Sequence, residues 1–300
     1  MLTLVLGLSW GSSFLWIKYA LDSFSPVVIT TCRLVLGAAA CYVFCLVVGA
    51  NMPNKLRIFA LCTGAGVLAN ALPYTLFAVG EQRTSSGIAG LLNSTAPLWT
   101  LIIAWLLRDR SASGRSIVGV GIGLAGSALM VMPAVVAAHV ELLGMLACLA
   151  AAFCYGLSYI YIDRFLAGDE HELPALAAVQ LASAAIVSLP FAFLVQPRVE
   201  HVHVGSLVPL VILGVLGTGI AYLVNYELIR SAGPVAASVV SYVIPVVAVV
   251  LSVVVLSEPL CAWSIVGGVV TLVGIALTRT RPGRASTPIG SRARADQPGS

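Results

Sequence analysis

The stretch RSIVGVGIGLAGSAL, Arg115–Leu129, returns near the end of the chain as WSIVGGVVTLVGIAL, Trp263–Leu277. Ser116 matches Ser264, Gly119 matches Gly267 and Gly126 matches Gly274, each pair 148 residues apart. The same spacing pairs Pro97 with Pro245, Tyr74 with Tyr222 and Pro26 with Pro174. One offset shared by several separated elements is the mark of an internal repeat, which chance apolar similarity rarely produces. The chain is therefore read as residues 1–133, then 134–278, then a tail of residues 279–300.

Around that pair of stretches, the chain reads as apolar helices. Of its 300 residues, 59% are hydrophobic and 9% charged, and the mean hydropathy is +1.02. A soluble domain carries roughly 25% charged residues, so this surface is suited to lipid. Apolar runs of about 18 or more residues recur, each long enough to cross a hydrocarbon core about 30 Å thick. Ten spans are expected: Leu2–Leu21, Pro26–Val48, Ile58–Gly80, Ser85–Leu107, Ser116–Met132, Leu142–Arg164, Leu173–Val195, Leu207–Ile229, Pro234–Leu256 and Ala262–Thr278. The first run lacks a basic leader and is followed at once by another span, so it is read as a helix and not a cleavable signal. The tail is rich in Arg, Pro, Gly and Ser and is expected to be disordered.

Five spans per repeat is an odd number. A five-helix unit and its copy must then enter the membrane from opposite sides. The fourth span is followed by LLRDRSASGR, whereas its counterpart VLSEPLCAW after the ninth has no Lys or Arg, and Arg110 faces Glu258 in the alignment. Positive charge is lost where an inverted copy would lie outside. Across the chain, the even loops and tail carry twelve Lys and Arg, against three in or beside the odd loops (Lys18, Arg83 and Arg198). Both termini are therefore expected in the cytoplasm, with the chain multi-pass in the cell (plasma or inner) membrane. The fold class is an all-α polytopic membrane protein of ten transmembrane helices in two inverted five-helix repeats. Inverted repeats are a recurrent plan of secondary transporters, with substrate bound near the midplane.

Other chemistry finds little support. The net charge of +4 comes from loops and tail, without the basic face that nucleic-acid binding needs. Seven scattered cysteines form no CxxC pair and read as small buried hydrophobes. Gly121-x-Gly123-x-x-Gly126 matches the dinucleotide pattern but has no strand before it, so close helix packing explains it better. Gly7/Gly11 and Gly119/Gly123 read the same way. No HExxH or GxSxG occurs, and neither an enzyme nor a cofactor is indicated. The partners expected are a small-molecule substrate and the lipid bilayer; no oligomeric state can be assigned.

Polar groups inside a bilayer are costly, so each invites an explanation. Arg33 lies about seven residues into its span, roughly 10 Å deep. It could grip a carboxylate or phosphate in a cavity, or it could snorkel or be paired structurally, as with Asp22 or Glu81 near the outer face. Asn70, Tyr74 and Phe77 share a helix face, and the offset gives Thr218, Tyr222 and Asn225 the matching face on the eighth span. Either they line a pseudo-symmetric cavity or they bond helix to helix. Trp10, Trp16, Tyr155, Tyr159 and Gln180 are candidates for cavity lining or packing, Trp16 favouring an interfacial anchor. Lys18 is expected to snorkel to the membrane edge.

Pro97 interrupts the polar stretch GLLNSTAPLW, Gly90–Trp99. Its ring clashes with the carbonyl four residues earlier, that of Asn93, and Pro245 is expected to do the same to Ser241. Gly90, Asn93 and Pro97 share one face, as do Ser238, Ser241 and Pro245. These helix breaks read either as a gate or binding site, or as packed kinks satisfied by neighbouring Ser and Thr.

The chain resembles the EamA-type permeases of the drug/metabolite transporter superfamily. The likeness rests on SWGSSFLWIKYALDSFSPVVITTCRLVLGA, Ser9–Ala38, on YVIPVVAVVLSVVVLSEPL, Tyr242–Leu260, and on the Gly-rich helix ending each half. It implies ten helices in two inverted repeats, a central cavity, and transport of small metabolites, often export of amino acids or related compounds. Small multidrug antiporters, more distant relatives on this resemblance, use an acid in the first span; here there is none. The leading expectation is a secondary transporter, an exporter, working by alternating access. The rival is a non-transporting membrane scaffold or sensor.

Overall fold

The computed structural model describes residues 2–107, 114–136, 141–166, 172–194, 204–225, 227–228 and 240–278. Within these, helix is the only regular structure. We label the helices α1 (Leu2–Leu21), α2 (Pro26–Val48), α3 (Leu56–Glu81), α4 (Ser86–Leu106), α5 (Gly114–Val136), α6 (Glu141–Phe165), α7 (Leu173–Leu194), α8 (Gly205–Asn225), α9 (Val240–Val254) and α10 (Ala262–Thr278). Seven (α1–α4 and α6–α8) are long and apolar enough to cross a membrane. Gly114–Met130, Val243–Val254 and Ala262–Thr278 are shorter apolar helices.

Local chemistry sets several ends. Ser25 is extended and Pro26 opens α2, where a missing N–H costs nothing. Ser85 Oγ accepts from Ile88 N at 3.2 Å and caps α4. Gly49 closes α2 at φ 69°, a backbone conformation that disfavours a Cβ.

The widest departures from regularity lie inside α3 and α8. Val67–Ala71 and Ile212–Ile220 are π-helix, an i→i+5 winding that widens the turn. Pro73, just beyond the first, has no N–H to continue an α ladder. In the second, Thr218 Oγ1 donates to Leu213 O, five residues back, at 2.9 Å. The fourth span breaks as well: Ser86–Asn93 and Ala96–Leu106 are separated by Ser94 and Thr95. Ser94 Oγ donates to Leu91 O at 2.6 Å and Thr95 Oγ1 to Leu92 O at 2.8 Å. Ser94 and Thr95 thus bond the two carbonyls just before Asn93. Pro245, in contrast, sits inside a helix that continues through it. The expectation that the two prolines break their helices alike is not met.

Residues 1–133 and 134–278 interdigitate into one bundle. The main packing partners are α1 with α9, α2 with α7 and α8, α3 with α6 and α7, α4 with α6 and α9, and α5 with α10. Glycines set the closest approaches. A Cβ on Gly126 would meet Gly267 O at 2.6 Å, and one on Gly119 would meet Gly274 O at 2.8 Å. Thr271 Oγ1 donates to Gly123 O, 148 residues away, at 3.3 Å. Gly7 and Gly11 take Val243 and Val247 of α9. The dinucleotide-like glycines are therefore packing residues at Gly123 and Gly126. Gly121 is not one, because a Cβ there would meet open space.

Large apolar side chains face outward, among them Val47 at 78%, Leu106 at 76% and Phe193 at 81% exposed. A water-facing surface of this kind would aggregate, whereas hydrocarbon accepts it. The chain is a multi-pass membrane protein. The tail, Arg279–Ser300, lies outside the described residues.

Candidate functional site

The π segments carry the polar centre of the bundle. Asn70 lies in the first and is fully buried. Its Nδ2 donates to Tyr74 Oη at 3.1 Å and to Tyr222 Oη at 2.6 Å. Its Oδ1 accepts from Gln180 Nε2 of α7 at 2.7 Å. One amide therefore joins α3, α7 and α8, and its two donors and its acceptor are all used. Trp10 of α1 meets the Tyr222 ring edge-on at 6.4 Å.

Thr218 lies in the second π segment, also fully buried. It accepts from Arg33 Nε at 2.7 Å. Arg33 Nη2 donates to Gly217 O at 3.3 Å and stands 3.5 Å from Ser13 Oγ. The guanidinium carbon lies 3.9 Å from the centroid of the Tyr74 ring, a cation–π contact. Arg33 is 5% exposed, and its partners are hydroxyls, one carbonyl and an aromatic face. Neither Asp22 nor Glu81 pairs with it. The structural pairing expected from the sequence is replaced by Thr218, 185 residues away.

Asn70 and Thr218 are 148 residues apart, as are Tyr74 and Tyr222. Gln180 and Arg33 approach them from α7 and α2. The sequence therefore identified Arg33, Asn70, Tyr74, Gln180 and Tyr222, and the structure brings them together. Phe77 extends this group: it meets Phe14 edge-on at 5.4 Å and reaches Tyr155 at 6.0 Å. Tyr159, one turn further along α6, is 56% exposed.

Other candidates stand apart. Asn225 is half-buried and makes no hydrogen bond among the described residues. Asn93 has a buried Oδ1 without a partner and does not join the Asn70 group. Pro97 starts the second piece of α4. Ser238 lies outside the described residues, and so does the side chain of Ser241. Trp16 lies 6.1 Å from Tyr19 and lines an apolar groove of about 650 Å³ between α1, α8 and α9.

Two features had no signal in composition or motif. One is the pair of π segments. The other is at the end of the bundle where α1 and α3 finish. There Lys18 Nζ donates to the carbonyls of Glu81 and Thr84 at 3.0 and 3.2 Å and pairs with Glu258 Oε1 at 3.3 Å. Lys18 does not snorkel; all three of its donors are engaged within the protein.

Comparison with known proteins bears on the family and the fold. The pattern of the EamA-like transporter family matches residues 1–132 and again residues 142–280. An uncharacterized transporter, YdfC, of Bacillus subtilis is 26% identical over 92% of this chain and 89% of its own. A probable terminal-alkyne amino-acid exporter of Streptantibioticus cattleyicolor is 26% identical over 93% of this chain and 94% of its own. One solved crystal structure superposes with a TM-score of 0.66 at 19% identity, covering 92% of this chain and 95% of that one, which speaks to the fold alone.

Proposed function

This chain belongs to the EamA-like transporter family, and from that premise we propose that it exports small metabolites, amino acids or related compounds, by alternating access. Ten spans form two inverted five-helix repeats, residues 1–133 and 134–278, with both termini in the cytoplasm and the chain in the cell membrane. The observation that carries the reading is the polar centre shared by the two halves. Asn70 and Tyr74 come from the first, Gln180, Thr218 and Tyr222 from the second, and Arg33 bridges them.

Arg33 gives the substrate its handle. It is a buried cation with no carboxylate partner among the described residues, and a planar guanidinium suits a bidentate carboxylate. Tyr74 accepts from Asn70 through an oxygen that can still donate, so it offers a hydroxyl proton to a polar group beside that carboxylate. The packing contacts fit the inverted arrangement: adding 148 to Gly119 and subtracting it from Gly274 exchanges the contact Gly119–Gly274 with Gly267–Gly126. A two-fold relation between halves has this property, and rocking about it would expose the centre to either side in turn. A relative named as a probable terminal-alkyne amino-acid exporter supports this choice of substrate class.

The test is purified protein in liposomes, challenged with a panel of amino acids and related metabolites with and without a free carboxylate. Saturable flux of carboxylate-bearing solutes, lost in Arg33→Ala, is expected. Folded protein that moves no solute saturably would sink the proposal.

A further inference from the structure

The sealed end of the bundle holds a carboxyl that the central site does not use. Glu81, the last residue of α3, is fully buried. Its Oε2 is 2.9 Å from Ser86 Oγ, and its Oε1 has no hydrogen-bond partner among the described residues. Lys18 touches the Glu81 carbonyl, not its carboxyl. The Lys18 ammonium is instead matched to Glu258, which Ser257 presents from a left-handed turn at φ 53°. Glu258 Oε2 also accepts from Ser86 N at 2.9 Å and Ser252 Oγ at 2.6 Å. Around this end there is thus one engaged cation for two carboxyls. The charged and titratable groups facing Glu81 are Lys18 from α1, Glu258 from the α9–α10 turn, Cys148 from α6 and, further off, Arg33 from α2. None of them contacts its carboxyl oxygens.

Hydrogen-bond accounting identifies what balances it. Ser86 Oγ lies 2.9 Å from Glu81 Oε2 and 3.2 Å from Phe14 O. A hydroxyl has one proton. It can serve a carboxylate and a carbonyl together only by splitting that proton in a weaker, bifurcated bond. Each contact becomes a full two-centre hydrogen bond when Glu81 carries a proton on Oε2: the acid donates to Ser86, and Ser86 donates to Phe14 O. We infer that Glu81 is a proton-binding site built into the seal formed by α1, α3, α4 and the α9–α10 turn, separate from the Arg33–Asn70 centre.

The consequence for transport rests on the alternating-access reading; the proton site does not. When the seal parts, water reaches the carboxyl. The O–H bond at Oε2 breaks, the proton passes to water, and the carboxylate is hydrated. Closing the seal over Glu81 requires a proton to be taken back. Lys18 and Glu258 hold the seal shut, and Glu81 makes its closure sensitive to proton concentration.

The full chain in lipid nanodiscs provides the test, with no transport required. The infrared difference spectrum between wild type and Glu81→Gln at neutral pH should contain the C=O band of a neutral carboxylic acid. That band should persist when sodium is replaced by choline. A carboxylate band in its place overturns the inference, as does a signal that depends on sodium, which would make the ligand a metal cation. Ser86→Ala guards against failure of the Gln variant to fold: it keeps the acid, removes its acceptor, and should shift the band to higher frequency. A second measurement reads the seal. With Cys261→Ser as background, Thr84→Cys should react with a maleimide several-fold faster as pH rises, relative to the same protein opened in detergent at each pH. Adding Glu81→Gln should flatten that ratio. An unchanged pH profile in the Gln protein rejects the role of Glu81 in the seal, and loss of solute flux with the infrared band intact would reject only the transport reading.

Discussion

Arg33 on Thr218 and Gln180 on Asn70 occupy related places with different chemistry. Each pair joins a π segment to a neighbouring helix, α2 to α8 in one case and α7 to α3 in the other. Asn70 and Thr218 correspond through the offset of 148, while Arg33 corresponds to Leu181 and Gln180 to Cys32, one residue out of step. Neutral amides meet on one side; a guanidinium meets a hydroxyl on the other. A repeated scaffold therefore does not repeat its charge. Two fixed cations facing each other would repel, whereas one cation beside a neutral amide leaves a single preferred place for an anion.

Removing the charge should produce the largest effect. Arg33→Ala is expected to lower flux of carboxylate-bearing solutes by about 10–100-fold, the loss of charge-assisted bonds worth about 1.5–3 kcal/mol, and Arg33→Lys should recover only part because it lacks the planar fork. Liposome uptake measures both. Asn70→Ala comes next: it strands the Gln180 amide, and a cost of about 1–3 kcal/mol in stability is expected, read as a lower unfolding temperature. The scaffold itself can be probed at Gly126, where a side chain would collide with the α10 backbone. Gly126→Leu should cost about 1–3 kcal/mol, whereas Gly121→Leu, facing open space, should leave the unfolding temperature nearly unchanged. The smallest change expected is Thr218→Val, which removes one acceptor from Arg33 and should cost about 1 kcal/mol; a loss as large as that of Arg33→Ala would mean that the hydroxyl, not the cation, organises the site.

Much of this was legible from the chain. Leu2–Leu21, Pro26–Val48 and Ala262–Thr278 match the expected spans at both ends, because Ser-Pro starts and apolar run lengths are local properties. The polar faces of α3 and α8 were legible through helical spacing and the offset. The partner of Arg33 was not, since nearby Asp22 and Glu81 were plausible acids and only packing brings Thr218 to it. Lys18 looked like an edge residue because the turn bearing Glu258 lies far along the chain. Pro97 and Pro245 looked equivalent because the clash of a proline ring is local, while the response of each helix depends on what else can satisfy its carbonyls. In α4, Ser94 and Thr95 bond the carbonyls of Leu91 and Leu92, just before the break.

The π segments also explain a pattern in the residues that α3 buries. Ile58, Cys62, Gly66, Asn70, Tyr74 and Ala78 are all buried and follow one another in steps of four. In an unbroken α-helix each such step drifts by about 40°, so five steps would carry the stripe about 200° around the axis. The last residues would then point away from the first. The wider winding of Val67–Ala71 takes back part of that drift. Leu210, Gly214, Thr218 and Tyr222 keep the same step in α8. The change of winding thus helps to set the angular position at which Asn70 and Thr218 meet their partners.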